Sequence, residues 1–181
     1  MAESVREIEK HSGEIGNCGV DILGRAEKSI IIKAPTEKIW EMLAFDRIQE
    51  WDEGWEYGRG VEYTSEVHTP KDKYRVGATA QGIPKKPEDN YCRFKIIESL
   101  ENKKMKYYAW EKPSYLGILS MFITYSLELV GTDTKLTYEI ESEKYGVFGI
   151  FGKFLEKLYL RRMVKKQIEK ALENLKSILE K

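Results

Sequence analysis

The stretch from Tyr145 to Lys181, YGVFGIFGKFLEKLYLRRMVKKQIEKALENLKSILEK, restricts the fold more than any other, because it alone reads as one long helix. Apolar residues at Phe151, Leu155, Leu158, Val164, Ile168, Ala171, Leu172, Leu175, Ile178 and Leu179 recur at helical spacing. The opposite face is rich in lysine and glutamate. At a rise of about 1.5 Å per residue, the roughly 28 residues after Gly152 reach ~42 Å, enough to cross a whole sheet. The preceding chain reads mostly as strands, so the sheet is expected to wrap this helix.

A length of 181 residues suits one domain with a sizeable core. Basic and acidic residues number 30 each, which gives no general affinity for nucleic acid. The charges are unevenly placed: residues 153–181 carry 9 basic and 4 acidic groups, whereas residues 1–60 carry 8 and 13. Cys18 and Cys92 are too few and too far apart for a disulfide framework or a zinc site, and read as free thiols. The opening MAESVREIEKHSGE has no apolar core of signal-peptide length, and no run approaches the ~20 apolar residues of a membrane span. A cytoplasmic protein is the expectation.

Residues 1–26 are polar, glycine-spotted and without firm periodicity, which predicts a flexible arm outside a domain of residues 27–181. KSIIIK (28–33) reads as a strand. Pro35 then closes it off, with Thr36 as expected N-cap of a helix over Glu37–Ala44. FDRIQEWDEGWE follows as a short helical or looped segment carrying Trp51 and Trp55. From Val61 the pattern becomes period-two alternation between turn residues. It predicts strands at Val61–Val67, Val76–Ile83, Tyr91–Leu100, Lys104–Trp110, Ile118–Val130 and Lys135–Ser142. Cys92, Phe94 and Ile96 alternate with Arg93 and Lys95; Met105, Tyr107 and Ala109 with Lys104, Lys106 and Tyr108; Leu136, Tyr138 and Ile140 with Thr137, Glu139 and Glu141. An antiparallel meander with one dry face needs a cover, and the closing helix can supply it.

The strand KSIIIKAP, the helix TEKIWEML, a tryptophan soon after at Trp51, the long meander and the terminal LEKLYLRRMVKKQIEKALENLKSILE together resemble the START-like, SRPBCC-type helix-grip superfamily, closest to its polyketide cyclase/dehydrase and lipid-transport group. The resemblance covers residues 27–181 and rests on the ordered combination. It implies an α+β helix-grip fold: a curved antiparallel sheet of about seven strands around the long C-terminal helix, two short helices after the first strand, and an internal apolar cavity. It carries over no catalytic residues, since the superfamily shares no catalytic motif.

Large, partly polar aromatics crowd the predicted inner faces. A tyrosine buried in a core must find a hydrogen-bond partner, so several of them together point to a space holding water or ligand, although alternation alone does not separate a cavity wall from a packed core. Trp51, Tyr63, Phe94, Tyr107, Tyr125, Tyr138, Phe151 and Leu155 are the predicted wall. Gly146, Gly149 and Gly152 loosen the helix start, where a movable lid or a plain irregular connection would sit. Arg161, Arg162, Lys165 and Lys166 beside Phe148 offer weak contact with an anionic membrane surface, or simply a solvated helix face.

Catalytic signals are sparse. His68, in EVHTPKDKY, is the one candidate for proton transfer, against the common case of an idle loop histidine. Asp46, Glu50, Asp52 and Glu53 are expected to keep an exposed segment in water. There is no phosphate-binding glycine loop, no nucleophile elbow and no metal-ligand cluster, so neither a cofactor nor a metal is implied. Nothing in the sequence sets an oligomeric state. These features predict a protein that binds a hydrophobic or aromatic small molecule (a lipid, isoprenoid or polyketide-like compound) between sheet and helix, as carrier or sensor. The alternative is a cyclase, dehydratase or hydrolase using the same cavity.

Overall fold

A computed structural model describes residues 24–53, 60–63, 67–83, 92–111, 119–142 and 150–181; in the last range the side chains of residues 150–161 and of Met163 lie outside the described ones. Strand β1 (Gly24–Ile32) is followed by helices α1 (Thr36–Glu41) and α2 (Phe45–Ile48), then β2 (Val61–Tyr63), a 3-10 turn (Pro70–Tyr74) and β3 (Thr79–Gly82). Strands β4 (Cys92–Leu100), β5 (Lys104–Glu111), β6 (Leu119–Val130) and β7 (Asp133–Ser142) complete the sheet before α3 (Ile150–Leu179).

All seven strands form one antiparallel sheet in the order β1-β7-β6-β5-β4-β3-β2. The expected helix-grip architecture is present. β1 and β2 are neighbours among the strands in sequence but occupy opposite edges, so the segment bearing α1 and α2 carries the chain from one edge to the other. A register shift in β4 between Ile96 and Glu98 leaves an extra residue, a bulge that bends the strand and raises its twist.

Several boundaries depart from the sequence reading, each for a local reason. β1 starts at Gly24 rather than at 28 and pairs from its first residue, Gly24 with Ser142. Thr36 is the first helical residue of α1 and not its cap: Pro35, extended at φ −67° and ψ 153°, holds the cap position without a side-chain bond. β3 begins at Thr79 and not Val76, because Gly77 takes φ +92°, which no strand residue adopts, and leaves Val76 53% exposed. β2 ends at Tyr63 instead of Val67, residues 64–66 lying outside the described ones, and Thr69 with Asp72 then caps the 3-10 turn reciprocally. β7 begins at Asp133, since Val130 pairs directly with Asp133 across a two-residue turn.

The core lies between the concave side of the sheet and α3. Ile168, Ala171, Leu172 and Leu175 share one face of the helix and are buried, and the helix packs chiefly on β1 with a smaller contact on β7. Polar ties fix its position. Lys176 donates to the Ile31 carbonyl at 2.9 Å, the Lys33 amide donates to Glu180 at 2.8 Å, and Asn174 donates to the Trp51 carbonyl at 3.2 Å. One outward residue is not wet as alternation predicted: Tyr108 is buried on the convex side between Trp110, 5.5 Å away by ring centroid, and Phe122, 5.2 Å away.

Candidate functional site

The inward-facing tyrosines come from neighbouring strands. Tyr107 lies on β5, Tyr125 on β6 and Tyr138 on β7, the last two paired directly across the ladder. Trp51, from the turn after α2, stands over them with edge-on contacts to Tyr125 (5.8 Å) and Tyr138 (6.2 Å). Tyr107 and Tyr125 meet edge-on at 5.8 Å, and Tyr125 and Tyr138 lie tilted at 45° with centroids 4.6 Å apart. These four side chains are at most 1% exposed. Phe45 of α2 extends the cluster to Tyr107 (4.7 Å), Phe94 (5.2 Å) and Tyr63 (6.0 Å).

Five of the eight predicted wall residues, Trp51, Phe94, Tyr107, Tyr125 and Tyr138, are thus buried in one core cluster with Phe45 linking them, and Tyr63 packs at its margin. The side chains of Phe151 and Leu155 lie outside the described ones, as do Phe148, the Arg161 side chain and the three glycines expected at the helix entrance, apart from the backbone of Gly152. Arg162 and Lys166 are exposed and Lys165 is half-buried. His68 is exposed, and its backbone amide donates to Asp72 at 3.1 Å within the capped turn.

The polar atoms within the cluster are not equivalent. Trp51 Nε1 donates to the Met42 carbonyl at 2.9 Å, and the Tyr107 hydroxyl donates to the Leu43 carbonyl. Both acceptors lie just past α1, where helix-end carbonyls lack partners within the helix. Tyr138 donates to Asp52 Oδ2 at 2.9 Å. The Tyr125 hydroxyl is fully buried and has no hydrogen-bond partner among the described residues; Tyr138 is beside it but directs its own proton to Asp52. Burial pushes the Tyr107 and Tyr125 phenols well above their ordinary range, and for Tyr125 the adjacent Tyr138 and Asp52 add to the shift. Both therefore keep their protons at neutral pH.

Asp52 corrects an expectation. The sequence predicts an acid that keeps a segment in water, whereas Asp52 is 0% exposed and holds the Tyr138 hydroxyl inside the core. Nothing in the sequence separates it from Glu50 and Glu53; only the burial of adjacent Trp51 does. Phe45 carries a signal in the sequence, since Phe45, Ile48 and Trp51 are spaced three apart and all are buried.

A second polar cluster sits at the rim. Asp46 of α2 accepts from the Tyr63 hydroxyl at 2.7 Å and pairs with Lys73 of the 3-10 turn, whose Nζ also lies 5.1 Å from the Tyr63 ring centre. Burial would raise the Asp46 carboxyl, but the hydrogen bonds from Lys73 and Tyr63, with the Lys73 charge, outweigh it and hold the group below the usual carboxylate range. Burial and then the Asp46 bond raise the Tyr63 phenol. Beside this cluster, Trp40 of α1 stacks on Tyr74 at 5.9 Å. Among the described residues no group of acids, histidines and cysteines could hold a metal ion, and no helix is long and apolar enough to cross a membrane.

Comparison with known proteins agrees with this architecture. The family model described as polyketide cyclase / dehydrase and lipid transport matches residues 24–180. No curated protein matches the chain. Among solved structures, protein MLL2253 of Mesorhizobium loti is 16% identical with a TM-score of 0.60, over 86% of this chain and 96% of that one. Protein CV1439 of Chromobacterium violaceum is 12% identical with a TM-score of 0.59, over 87% and 97%. Ara h 8.0201 is 12% identical with a TM-score of 0.57, over 86% and 96%. At these identities the likeness is one of fold.

Proposed function

The chain belongs to the polyketide cyclase/dehydrase and lipid-transport family, and from that premise we propose that it binds a hydrophobic or aromatic small molecule between the sheet and α3, as a cytoplasmic carrier or sensor. The observation that carries this reading is the aromatic cluster of Trp51, Tyr107, Tyr125 and Tyr138, which places ring faces and edges, and one unmatched hydroxyl, at the centre of the concave face. Aromatic walls with a few polar atoms suit lipid, isoprenoid or polyketide-like ligands, taking up their apolar surface while fixing their orientation. Burying ~200–300 Å² of ligand at about 25 cal/mol per Å² gives a gross ~5–7.5 kcal/mol before ordering costs, which corresponds to micromolar-to-millimolar binding.

The buried Asp52–Tyr138 pair supports a second reading, an enzyme of the cyclase, dehydratase or hydrolase type. A carboxyl hydrogen-bonded to a phenol away from water is a unit that can hold and pass a proton. One experiment separates the two readings. The protein is isolated from its own source, weighed intact by native mass spectrometry, then unfolded so that any released molecule is identified. A stoichiometric apolar compound is the expected result. An empty protein that turns over a polyketide or ester panel, with turnover abolished in Asp52→Asn, would overturn the carrier reading in favour of the enzyme.

A further inference from the structure

We propose that Tyr125 determines ligand choice: its hydroxyl donates a hydrogen bond to an acceptor oxygen on the bound molecule, so the ligand is an oxygenated ring compound, a ketone or ether, and not a bare hydrocarbon. This rests on the binding reading above and adds the chemistry that the site selects. Four polar groups of the aromatic cluster differ in what they have left to give. Trp51 Nε1 is committed to the Met42 carbonyl, Tyr107 to the Leu43 carbonyl and Tyr138 to Asp52. Only the Tyr125 hydroxyl, with the side chain 0% exposed, has no partner among the described residues.

An unmet buried hydroxyl is expensive, and each one in a native core calls for an explanation. Phenylalanine would fill the same volume at this position without that penalty. The Tyr125 ring that carries the hydroxyl is packed against the rings of Tyr107, Tyr138 and Trp51, so a group that reaches it comes into an aromatic cluster. Its polarity follows from its surroundings. Burial keeps the phenol protonated, so it brings a proton to donate. Tyr138 gives its proton to Asp52, and although both lie near Tyr125, its hydroxyl makes no hydrogen bond of acceptable geometry to either.

The test uses 1-tetralone and tetralin, a ketone and its hydrocarbon of nearly the same shape, titrated by NMR into the wild-type protein and Tyr125→Phe. Comparing the ratio of the two dissociation constants between proteins cancels the different hydrophobicity of the probes. The expected result is that Tyr125→Phe weakens tetralone about three- to tenfold while tetralin is unchanged, the range of one net hydrogen bond. In parallel, the infrared C=O stretch of bound tetralone falls to lower frequency in the wild type and returns in Tyr125→Phe. If both probes bind and neither the ratio nor the stretch differs between the proteins, the inference is overturned while the binding reading stands. If neither probe binds the wild-type protein, the ring-compound inference falls, and the binding reading is decided by the mass-spectrometric experiment above.

Discussion

Tyr125 and Tyr138 face each other across β6 and β7, are equally buried and share Trp51 as a neighbour, and still do opposite things with their hydroxyls. Tyr138 supplies a donor to a carboxyl that is 0% exposed; Tyr125 supplies one to nothing described. Removing each hydroxyl therefore has different consequences. Tyr138→Phe leaves a buried acceptor short of a donor and is expected to cost about 1–3 kcal/mol, whereas Tyr125→Phe removes an unmet group and is expected to leave stability unchanged or slightly raised. Urea unfolding of the two variants measures this directly, and equal losses would mean the hydroxyls have been assigned wrongly. At this scale the sequence was legible only in part. Alternation placed all three inward tyrosines correctly, because a strand's side-chain period is fixed by its geometry. It could not say which hydroxyl would find a partner, since the acceptors at Leu43 and Asp52 come from a segment with neither strand nor long-helix periodicity.

At the scale of elements, Asp46, Tyr63 and Lys73 join α2, the edge strand β2 and the 3-10 turn, three pieces too short to hold position by their own hydrogen bonds. The Asp46 and Lys73 side chains remain 33% and 31% exposed, so solvent screens the pair and its worth is about 0.5–1 kcal/mol at neutral pH. The sign with pH follows from the depressed carboxyl. A group whose native pKa lies below its unfolded value stabilises fully above the unfolded value, near pH 4, and loses that contribution as pH falls through the native value. Lys73→Met should thus be less stable than wild type at neutral pH, with the difference shrinking below about pH 4 and in high salt. A difference that persists at acid pH would show that Lys73 acts through packing. The sequence offered Asp46 only as a solubilising acid, because partners 17 and 27 residues away are brought to it by the fold.

The whole molecule is organised around α3, the element that was clearest in the sequence. Its periodicity predicted the buried face at Ile168, Ala171, Leu172 and Leu175, and the meander predicted what that face covers. The sheet's edges were not predictable in the same way: that β1 closes against β7 at one edge, with β2 at the other, depends on pairing between chain ends far apart in sequence. The helix is bonded to the rest at separate points. Lys176 binds the backbone of β1 at Ile31, Glu180 binds the amide of Lys33 just after it, and Asn174 binds the carbonyl of Trp51, so the helix touches both the sheet edge and the aromatic cluster. Such a helix should unfold with the domain and not ahead of it. Leu175 is 0% exposed between these anchors, and Leu175→Ala, which leaves a cavity there, is expected to cost about 2–5 kcal/mol. The far-ultraviolet signal of the helix and the near-ultraviolet signal of the aromatic cluster should fall at one denaturant midpoint in wild type and variant alike. If the helix signal is lost first while the aromatic signal persists, α3 is a separable cover over a sheet that folds without it, and a ligand site between the two could open by releasing the helix.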